Sequence, residues 1–282
     1  MSTLSLSPSG GPLYVGLDLG ASRTKVAVID AQGRLLGHAV RKSGIDFTLT
    51  AKACLDAALA MAGAQQGDIA NAVSTGYGRG NVAFITEQTK TEIGCLARGA
   101  YHYFPEAITI IDIGGQDNKV VKIDAAGRRL SFKMNRKCAA GTGAFLEEMA
   151  NRLDVSLETM NALAREATGM IKLGSFCTVF SATEVLENIR AGRPVSDIVK
   201  GIFYSMIRRV LEMDSLTEQV VMTGGVVAHN AYLVAMTAEM IERPVRLAEF
   251  PQLVGAVGAA LHAIDGEAAA SGETSAAHTT GD

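Results

Sequence analysis

An internal repeat is the feature that most constrains the fold of this chain. Residues 15–40 (VGLDLGASRTKVAVIDAQGRLLGHAV) align without a gap to residues 109–134 (TIIDIGGQDNKVVKIDAAGRRLSFKM), and ten of the 26 aligned positions are identical. Each copy contains an apolar strand that ends in aspartate, a glycine-containing turn, a second strand, and a tight turn (DAQG or DAAG) into a third strand. Because a duplicated segment organises a whole architecture, the repeat predicts two similar domains.

Helix-patterned segments and further short strands follow each copy of the repeat. The fold class is therefore predicted to be α/β, with three antiparallel-type strands followed by helix–strand units in each half. The predicted helical segments are 48–62, 143–153, 156–167, 181–190, 195–213 and one from about residue 230. The predicted short strands are 69–74, 219–224 and 245–247.

The domain boundaries follow from the repeat and from the composition of the two ends. Residues 1–12 are rich in Ser, Pro and Gly, and residues 265–282 are small and polar. Neither segment can bury enough apolar surface to fold alone, so both are expected to be flexible tails. The first domain is placed at 13–105 and the second at 106–250.

Composition and charge exclude several classes of function. A net charge of −3 over 282 residues gives no basic surface for nucleic acid or for an anionic membrane. No apolar run reaches the length of a membrane span, and the N-terminus has no secretory signal pattern. A cytoplasmic location with no membrane partner is predicted. In that compartment the four cysteines, at positions 54, 95, 138 and 177, are expected to be thiols or metal ligands and not disulfides.

Two matching loops indicate phosphate binding. The first loop (residues 18–25, DLGASRTK) and the second loop (residues 112–119, DIGGQDNK) each join a strand-end aspartate to a glycine-containing turn. Glycine lets backbone N–H groups approach an anion, and Asp18 and Asp112 can each hold Mg²⁺ through water. One such loop alone indicates an ordinary hairpin, whereas its repetition favours function. The candidate phosphate contacts are Gly20, Ala21, Ser22 and Lys25 in the first loop, and Gly114, Gly115 and Gln116 in the second.

Some residues of these loops have a second interpretation or a further role. Lys25 and Lys119 could contact phosphate, or each could be a solvated charge at a strand end. Gln116 lies where an amide could orient a water for hydrolysis, and its weak basicity suits slow turnover. Gln116, Asp18 and Asp112 are the predicted catalytic residues.

A third motif, VVMTGGVVAHN at 220–230, runs from an apolar strand into two glycines before a helix. Gly224 and Gly225 would let a base and ribose lie against the backbone, although an ordinary strand-to-helix turn has the same pattern. Neither a Walker A motif nor a strand–GxGxxG–helix unit occurs, so P-loop and Rossmann folds are disfavoured.

At these three motifs the chain resembles the acetate and sugar kinase, heat-shock chaperone and actin superfamily, over residues 13–264. The resemblance implies two ribonuclease-H-like domains of the actin-like ATPase type, with ATP and Mg²⁺ bound in the cleft between them. It also implies that residues 251–264 form a C-terminal helix that packs back on the first domain.

Two of the cysteines precede predicted helices. Cys138 lies just before a helix that begins near Thr142, and Cys177 lies before Ser181 and Glu184, which have the spacing of a capping box. Two cysteines cannot complete a tetrahedral zinc site or a [4Fe–4S] cluster, each of which needs four ligands. A cluster shared with a second chain, two buried thiols, and a redox disulfide are the open alternatives.

The stretches IDIGGQDNKVVKID, MNRKCAAGTGAFLEEMA and SFCTVFSATEV are similar to the ATP-hydrolysing family of 2-hydroxyacyl-CoA dehydratase activators and benzoyl-CoA reductase ATPase subunits. The resemblance implies that Cys138 and Cys177 each ligate a [4Fe–4S] cluster that bridges two homologous ATPase subunits. Cys54 and Cys95 lie in apolar patterns and are expected to be buried and not to ligate.

The function that this resemblance implies is an ATP-driven electron pump. Ferredoxin would donate electrons, ATP hydrolysis would alter the surroundings of the cluster, and acyl-CoA-binding Fe–S subunits would accept the electrons. A benzoyl-CoA reductase subunit is the main expectation, and a homodimeric dehydratase activator is the alternative. A small-molecule kinase of the same fold without a cluster, and a chaperone-like ATP-binding module, are rivals from other classes.

Overall fold

The computed structural model describes residues 11–174 and 177–277, and the predicted tail at 1–12 therefore lies almost wholly outside the described residues. The chain forms two compact units. The first consists of Met1–Tyr103 together with Leu253–Asp282, and the second is Phe104–Gln252. Each unit contains one mixed sheet with helices packed on it, which confirms the predicted α/β class with two domains.

The strands and helices are these, in chain order. The strands are β1 (Leu13–Leu19), β2 (Arg23–Ile29), β3 (Leu35–Lys42), β4 (Ile69–Thr75), β5 (Ile108–Ile113), β6 (Asn118–Ile123), β7 (Arg129–Asn135), β8 (Val220–Thr223) and β9 (Val245–Leu247). The helices are α1 (Phe47–Ala62), α2 (Glu92–Tyr103), α3 (Gly143–Leu153), α4 (Leu157–Glu166), α5 (Thr178–Arg190), α6 (Val195–Leu211), α7 (Gly225–His229), α8 (Ala231–Ile241) and α9 (Val254–Ala277).

The two sheets reproduce the repeat. The first has the strand order β3-β2-β1-β4 and the second has the order β7-β6-β5-β8-β9. In each sheet the first three strands of the unit pair antiparallel, and the next strand joins in parallel beside the first. The registers correspond as well, because Asp18 faces Lys25 across β1 and β2, and Asp112 faces Lys119 across β5 and β6.

Close helix packing at glycines holds the C-terminal helix on the first unit. Helix α9 packs against α2 and against β1, β2 and β4. A Cβ atom at Gly258 would overlap the carbonyl of Cys95 in α2, and one at Gly16 in β1 would overlap the carbonyl of Ala256. Backbones can approach this closely only where the side chain is absent. Helix α2, which the sequence pattern does not predict, belongs to this close packing through Gly99.

Two helix boundaries differ from the prediction. Helix α9 continues to Ala277 and does not end at residue 264, because alanine and glutamate favour helix and no proline interrupts residues 265–277. Helix α5 begins at Thr178, with Cys177 as its N-cap, so Ser181 lies buried inside the helix. The predicted capping box is wrong, because the carboxylate of Glu184 accepts a 2.8 Å hydrogen bond from the N–H of Gly174 instead.

The second unit has the larger set of helices around its sheet. Its core contains Phe145 and Phe203 among its largest fully buried side chains. Helix α3 packs against α5, and α4 packs against α6 and α8. In the part of the chain that the structure describes, every helix is too short or too polar to cross a bilayer.

Candidate functional site

The two predicted loops are tight turns of the same construction. In the first loop the N–H of Gly20 donates to the carbonyl of Arg23 at 3.1 Å, and in the second the N–H of Gly114 donates to the carbonyl of Asp117 at 2.9 Å. Between these residues lie Ala21 and Ser22 in the first loop, and Gly115 and Gln116 in the second. Gln116 is exposed. The structure therefore brings the predicted phosphate contacts of each loop together in a tight turn at the end of a central strand.

Asp18 has one oxygen that is paired and one that is not. Lys25 Nζ donates to Asp18 Oδ2 at 2.9 Å. Asp18 Oδ1 is buried and has no hydrogen-bond partner among the described residues. Buried carboxylate oxygens normally have a partner, and a water bound to Mg²⁺ would supply one here. The donor chemistry of Asp18 thus fits the predicted magnesium site.

Both carboxylate oxygens of Asp112 have a partner, in contrast to those of Asp18. Lys119 Nζ lies 3.1 Å from Asp112 Oδ2 and 2.8 Å from Asp117 Oδ1, and Thr223 Oγ1 donates to Asp112 Oδ1 at 2.8 Å. The Lys119 side chain is only 4% exposed. The interpretation of Lys25 and Lys119 as solvated strand-end charges is therefore wrong, because each lysine neutralises the aspartate opposite it. Contact of either lysine with phosphate stays a prediction.

A Thr-Gly pair at the end of the parallel strand completes each loop, and sequence reasoning missed the first of them. Thr75 pairs with Asp18, and Thr223 pairs with Asp112, in equivalent registers. The glycines that follow, Gly76 and Gly224, have φ values of 88° and 101°. The matching segments STG (74–76) and MTG (222–224) carried the signal, since both follow an apolar strand.

These glycines allow the backbone to pass directly beside each loop. A Cβ atom at Gly76 would lie 2.6 Å from the carbonyl oxygen of Leu19 and 2.8 Å from Asp18 Oδ1, and one at Gly224 would overlap the carbonyl of Ile113. At Gly225 a Cβ would lie 2.9 Å from Gln252 Nε2. The local role of Gly224 and Gly225 is thus a strand-to-helix turn with close packing, and their contact with adenosine stays a prediction.

The second loop is joined directly to the helix that follows Cys138. The N–H of Gly143 donates to the carbonyl of Gly114 at 2.9 Å, and the N–H of Ala144 donates to the carbonyl of Gly115 at 2.8 Å. The first N–H groups of a helix have no partner within the helix, so the loop carbonyls satisfy them. Sequence reasoning missed this connection, because it joins residues that are distant along the chain.

The four cysteines fall into two classes. Cys54 and Cys95 are buried, as predicted, and burial raises their pKa to about 11 and about 12 respectively. Cys138 and Cys177 are exposed, so the interpretation of this pair as buried thiols is wrong. Cys177 is the N-cap of α5, and Cys138 precedes α3 by a short turn (residues 138–142, the Cys138 turn).

The two exposed cysteines have the donor atoms that an Fe–S cluster needs. Thiolates are the usual ligands of [4Fe–4S] clusters, and such a cluster takes four. Within residues 11–174 and 177–277 no three His, Cys, Asp or Glu side chains are grouped as a metal site. Beside Cys177, the exposed surface of α5 carries apolar side chains, with Val179 71% and Phe180 65% exposed. Large contiguous patches of exposed apolar side chains are typical of protein–protein contact surfaces.

Comparison with known proteins gives close relatives over nearly the whole chain. The sequence profile of the BadF/BadG/BcrA/BcrD ATPase family matches residues 15–263. The chain is 39% identical over 254 residues to the activator of lactoyl-CoA dehydratase from Anaerotignum propionicum, covering 89% of this chain and 97% of that protein. It is 37% identical over 254 residues to the 2-hydroxyisocaproyl-CoA dehydratase activator from Clostridioides difficile, covering 89% and 94%.

Structural comparison agrees. Component A of (R)-2-hydroxyglutaryl-CoA dehydratase from Acidaminococcus fermentans superposes with a TM-score of 0.87 at 32% identity, over 92% of this chain and 100% of that chain.

A benzoyl-CoA reductase subunit from Thauera aromatica is 28% identical over 261 residues, which cover 88% of this chain and 92% of that protein. The comparisons therefore favour the dehydratase activator, the alternative of the sequence analysis, over the benzoyl-CoA reductase subunit. The chain belongs to the BadF/BadG/BcrA/BcrD ATPase family.

Proposed function

We propose that the chain is the ATP-hydrolysing activator of a 2-hydroxyacyl-CoA dehydratase, which passes low-potential electrons to an acyl-CoA-binding partner. One observation carries the proposal. The second loop, where phosphate is expected, is hydrogen-bonded to the first turn of α3, the helix that follows the exposed Cys138. A movement of this loop therefore acts on the segment that holds a cluster ligand. The similarity to two activators at 37–39% identity supports the same function.

The nucleotide roles follow from the two loops. Asp18 Oδ1 and Asp112 would hold Mg²⁺ through water, and Mg²⁺ supplies positive charge to the β- and γ-phosphates when it is bound. The backbone N–H groups of the two turns would contact the phosphates, and Gln116 would orient the attacking water. Gly224 and Gly225 would lie against the adenosine. Lys25 and Lys119 each place a positive charge at hydrogen-bond distance from the aspartate opposite, which leaves the two aspartates paired when the nucleotide is absent.

The electron-transfer role rests on Cys138 and Cys177. Their thiolates would supply two of the four ligands of a [4Fe–4S] cluster, and the same residues of a second subunit would supply the other two. The cluster, when bound, supplies one-electron transfer. The N-termini of α3 and α5 would stabilise its negative charge, and the apolar surface around Phe180 would be covered in the assembly. Ferredoxin is the proposed donor, and Fe–S subunits that bind acyl-CoA are the proposed acceptors.

Iron analysis of matched cysteine variants tests this function. Anaerobically purified wild-type protein should contain about two iron atoms per chain, half of a four-iron cluster. Cys138→Ser and Cys177→Ser should each lose that iron while keeping ATP binding. Cys54→Ala and Cys95→Ala should keep it, because both thiols are buried. A colourless, iron-free wild-type protein that phosphorylates a sugar or an acid would instead establish the kinase alternative.

Co-purification separates the two functions within the family. A dehydratase activator is expected to elute as a homodimer that restores dehydration of a 2-hydroxyacyl-CoA when ATP, a reductant and the partner enzyme are added. A benzoyl-CoA reductase subunit is expected to elute with unlike Fe–S chains and to support reduction of the aromatic ring. Elution of the native protein with unlike subunits would contradict the activator proposal.

A further inference from the structure

Asn118 is a buried polar residue that the proposed function does not use. It is the first residue of β6 in the second unit, and its exposed fraction is 0%. Neither Oδ1 nor Nδ2 of its side chain has a hydrogen-bond partner among the described residues. A buried amide without partners is unfavourable, so the presence of Asn118 at this position calls for an explanation.

The amide of Asn118 lies against the Cys138 turn. Gly141 in this turn has a φ of 81°, and a Cβ atom at Gly141 would lie 2.9 Å from Asn118 Nδ2. Asn135 Nδ2 holds the turn at the carbonyl of Cys138, at 2.9 Å, but reaches the carbonyl of Ala140 only at 3.5 Å. The carbonyl of Ala139 accepts from the N–H and the hydroxyl of Thr142, at 2.9 and 2.7 Å. The carbonyl of Ala140 is therefore the less firmly bonded acceptor of the turn, and a primary amide can bond such a group.

The first unit shows what this position does when it is paired. The repeat aligns Asn118 with Thr24, and both are buried polar residues. Thr24 Oγ1 lies 3.0 Å from Ser43 Oγ, and Ser43 Oγ donates to the carbonyl of Gly20 at 2.6 Å. The side chain at this position thus links the segment after the third strand to the loop. In the second unit the segment after the third strand contains the Cys138 turn.

We propose that Asn118 is a positioning residue for Cys138. The turn has two arrangements, and the Asn118 amide is unpaired in the one described here and hydrogen-bonded to the turn backbone in the other. Phosphate at the second loop shifts the balance between them, because that loop bonds α3 through Gly143 and Ala144. The position of Cys138 then depends on the nucleotide. The inference rests on the proposed function only for the biological purpose of this movement. Its test measures thiol reactivity and does not depend on that function.

The test measures thiol reactivity in the iron-free, full-length chain. Iodoacetamide labelling is followed at Cys138 by peptide mass mapping, with and without a non-hydrolysable Mg–ATP analogue. In the wild type the analogue should change the rate about fivefold, which corresponds to about 1 kcal/mol, the typical net value of one hydrogen bond. In Asn118→Leu the rates with and without the analogue should agree within about twofold, because no amide is left to distinguish the arrangements.

Stability and control variants give a second readout. Asn118→Leu replaces two unpaired polar atoms by apolar ones of similar volume, so its melting temperature should equal or exceed that of the wild type. Asn118→Thr introduces the residue of the first unit, keeps a hydrogen-bonding group, and should retain part of the nucleotide response. Thr237→Val removes a buried hydroxyl of α8, whose partner is the carbonyl of Leu233, and should leave the response of Cys138 unchanged.

Three results would overturn the proposal: a wild-type Cys138 rate that ignores the bound analogue, an Asn118→Leu response equal to that of the wild type, or a lower melting temperature for Asn118→Leu. If Asn118→Leu does not fold, an Asn118→Thr response at full wild-type size, together with lower stability, would count against the proposal. Iron content is measured separately. If Asn118→Leu shows the wild-type nucleotide response while the separately purified protein still holds iron at Cys138 and Cys177, the positioning role is rejected and the proposed function is left intact.

Discussion

The backbone N–H of Gly143 donates a 2.9 Å hydrogen bond to the carbonyl of Gly114. The two residues belong to different elements, since Gly114 lies in the second loop and Gly143 begins α3. The equivalent carbonyl in the first unit, that of Gly20, accepts from the hydroxyl of Ser43 instead. The repeat has therefore kept the acceptor and changed the donor. In the second unit the donor is the helix that follows Cys138.

Gly143→Ala should weaken nucleotide binding more than it weakens the fold. A Cβ atom at Gly143 would lie 3.1 Å from the Cα of Gly115 and 3.1 Å from Val226 Cγ2, so the loop and helix must separate slightly. Crowding of this kind costs about 1–3 kcal/mol. Calorimetry should show ATP affinity lowered about tenfold. Gly67→Ala, where nothing lies within 4 Å, is the control. Equal affinities for the two variants would contradict the coupling.

Gly76→Ala should be strongly destabilising and should impair ATP hydrolysis. Gly76 has a φ of 88°, and its Cβ would lie 2.6 Å from the carbonyl oxygen of Leu19. Gly192→Ala is the matched control, because Gly192 has a φ of 68° with nothing within 4 Å of its Cβ. The control should lose about 1–2 kcal/mol from the left-handed conformation alone. Urea unfolding compares the two, and a Gly76→Ala loss no larger than that of Gly192→Ala would count against the close approach.

Asp18→Asn should abolish most of the magnesium-dependent hydrolysis of ATP. The substitution keeps the size of the side chain but removes the charge next to the unpaired Oδ1 position. We expect turnover to fall by about two orders of magnitude, a typical effect of losing one preorganised electrostatic contact. Asp56→Asn, at an exposed position of α1, is the control and should have wild-type turnover. Retention of normal magnesium dependence in Asp18→Asn would exclude the carboxylate from the metal site.

Acid should destabilise the first unit through its partly buried histidines. Burial lowers the pKa of His102 and His262, and it outweighs the carboxylate of Asp265, which acts to raise the pKa of His262. The positive charge of Arg98 acts in the same direction as burial on both histidines. The unfolded imidazoles therefore bind protons more readily than the folded ones, so stability present above about pH 6.5 is lost as the pH falls. Replacing both residues by Gln should reduce the loss of melting temperature between pH 7.5 and 5.5 by at least about 2 °C. An unchanged loss would show that other groups control acid unfolding.

Phe180→Asp should weaken subunit association without unfolding the chain. Phe180 is 65% exposed on α5, beside Cys177, so the charge meets water in the isolated subunit but would be buried in an assembly. Sedimentation should show dissociation at concentrations at which the wild type is dimeric, with iron lost in parallel. Leu130→Asp, at a residue 66% exposed on β7, is the control. Dimers of normal stability in Phe180→Asp would place the interface elsewhere.

The parts of the site that were predictable are those with a local pattern. The apolar strands that end in aspartate and the glycine turns located both loops, and the apolar residues at helical spacing placed Cys138 and Cys177 before helices. The pairing of Lys119 with Asp112 and Asp117 was not predicted, because strand-end lysines are usually solvated. Nor was the bond between Gly143 and Gly114, since tertiary hydrogen bonds leave no periodic signature. The start of α5 was misplaced because Ser181 and Glu184 have the spacing of a capping box. In the structure Cys177 is the N-cap, and Glu184 accepts from Gly174 instead.

The return of α9 to the first unit has a consequence for synthesis. Strand β1 precedes the second unit along the chain, but α9, the helix that packs on it, follows that unit. The second unit is continuous in sequence, so all its residues leave the ribosome before Gly258 can dock on α2. Since domains fold as units during synthesis, the side of the first unit that α9 covers stays exposed while the second unit is made and folds. In this chain, the half that is translated first is the last to be completed.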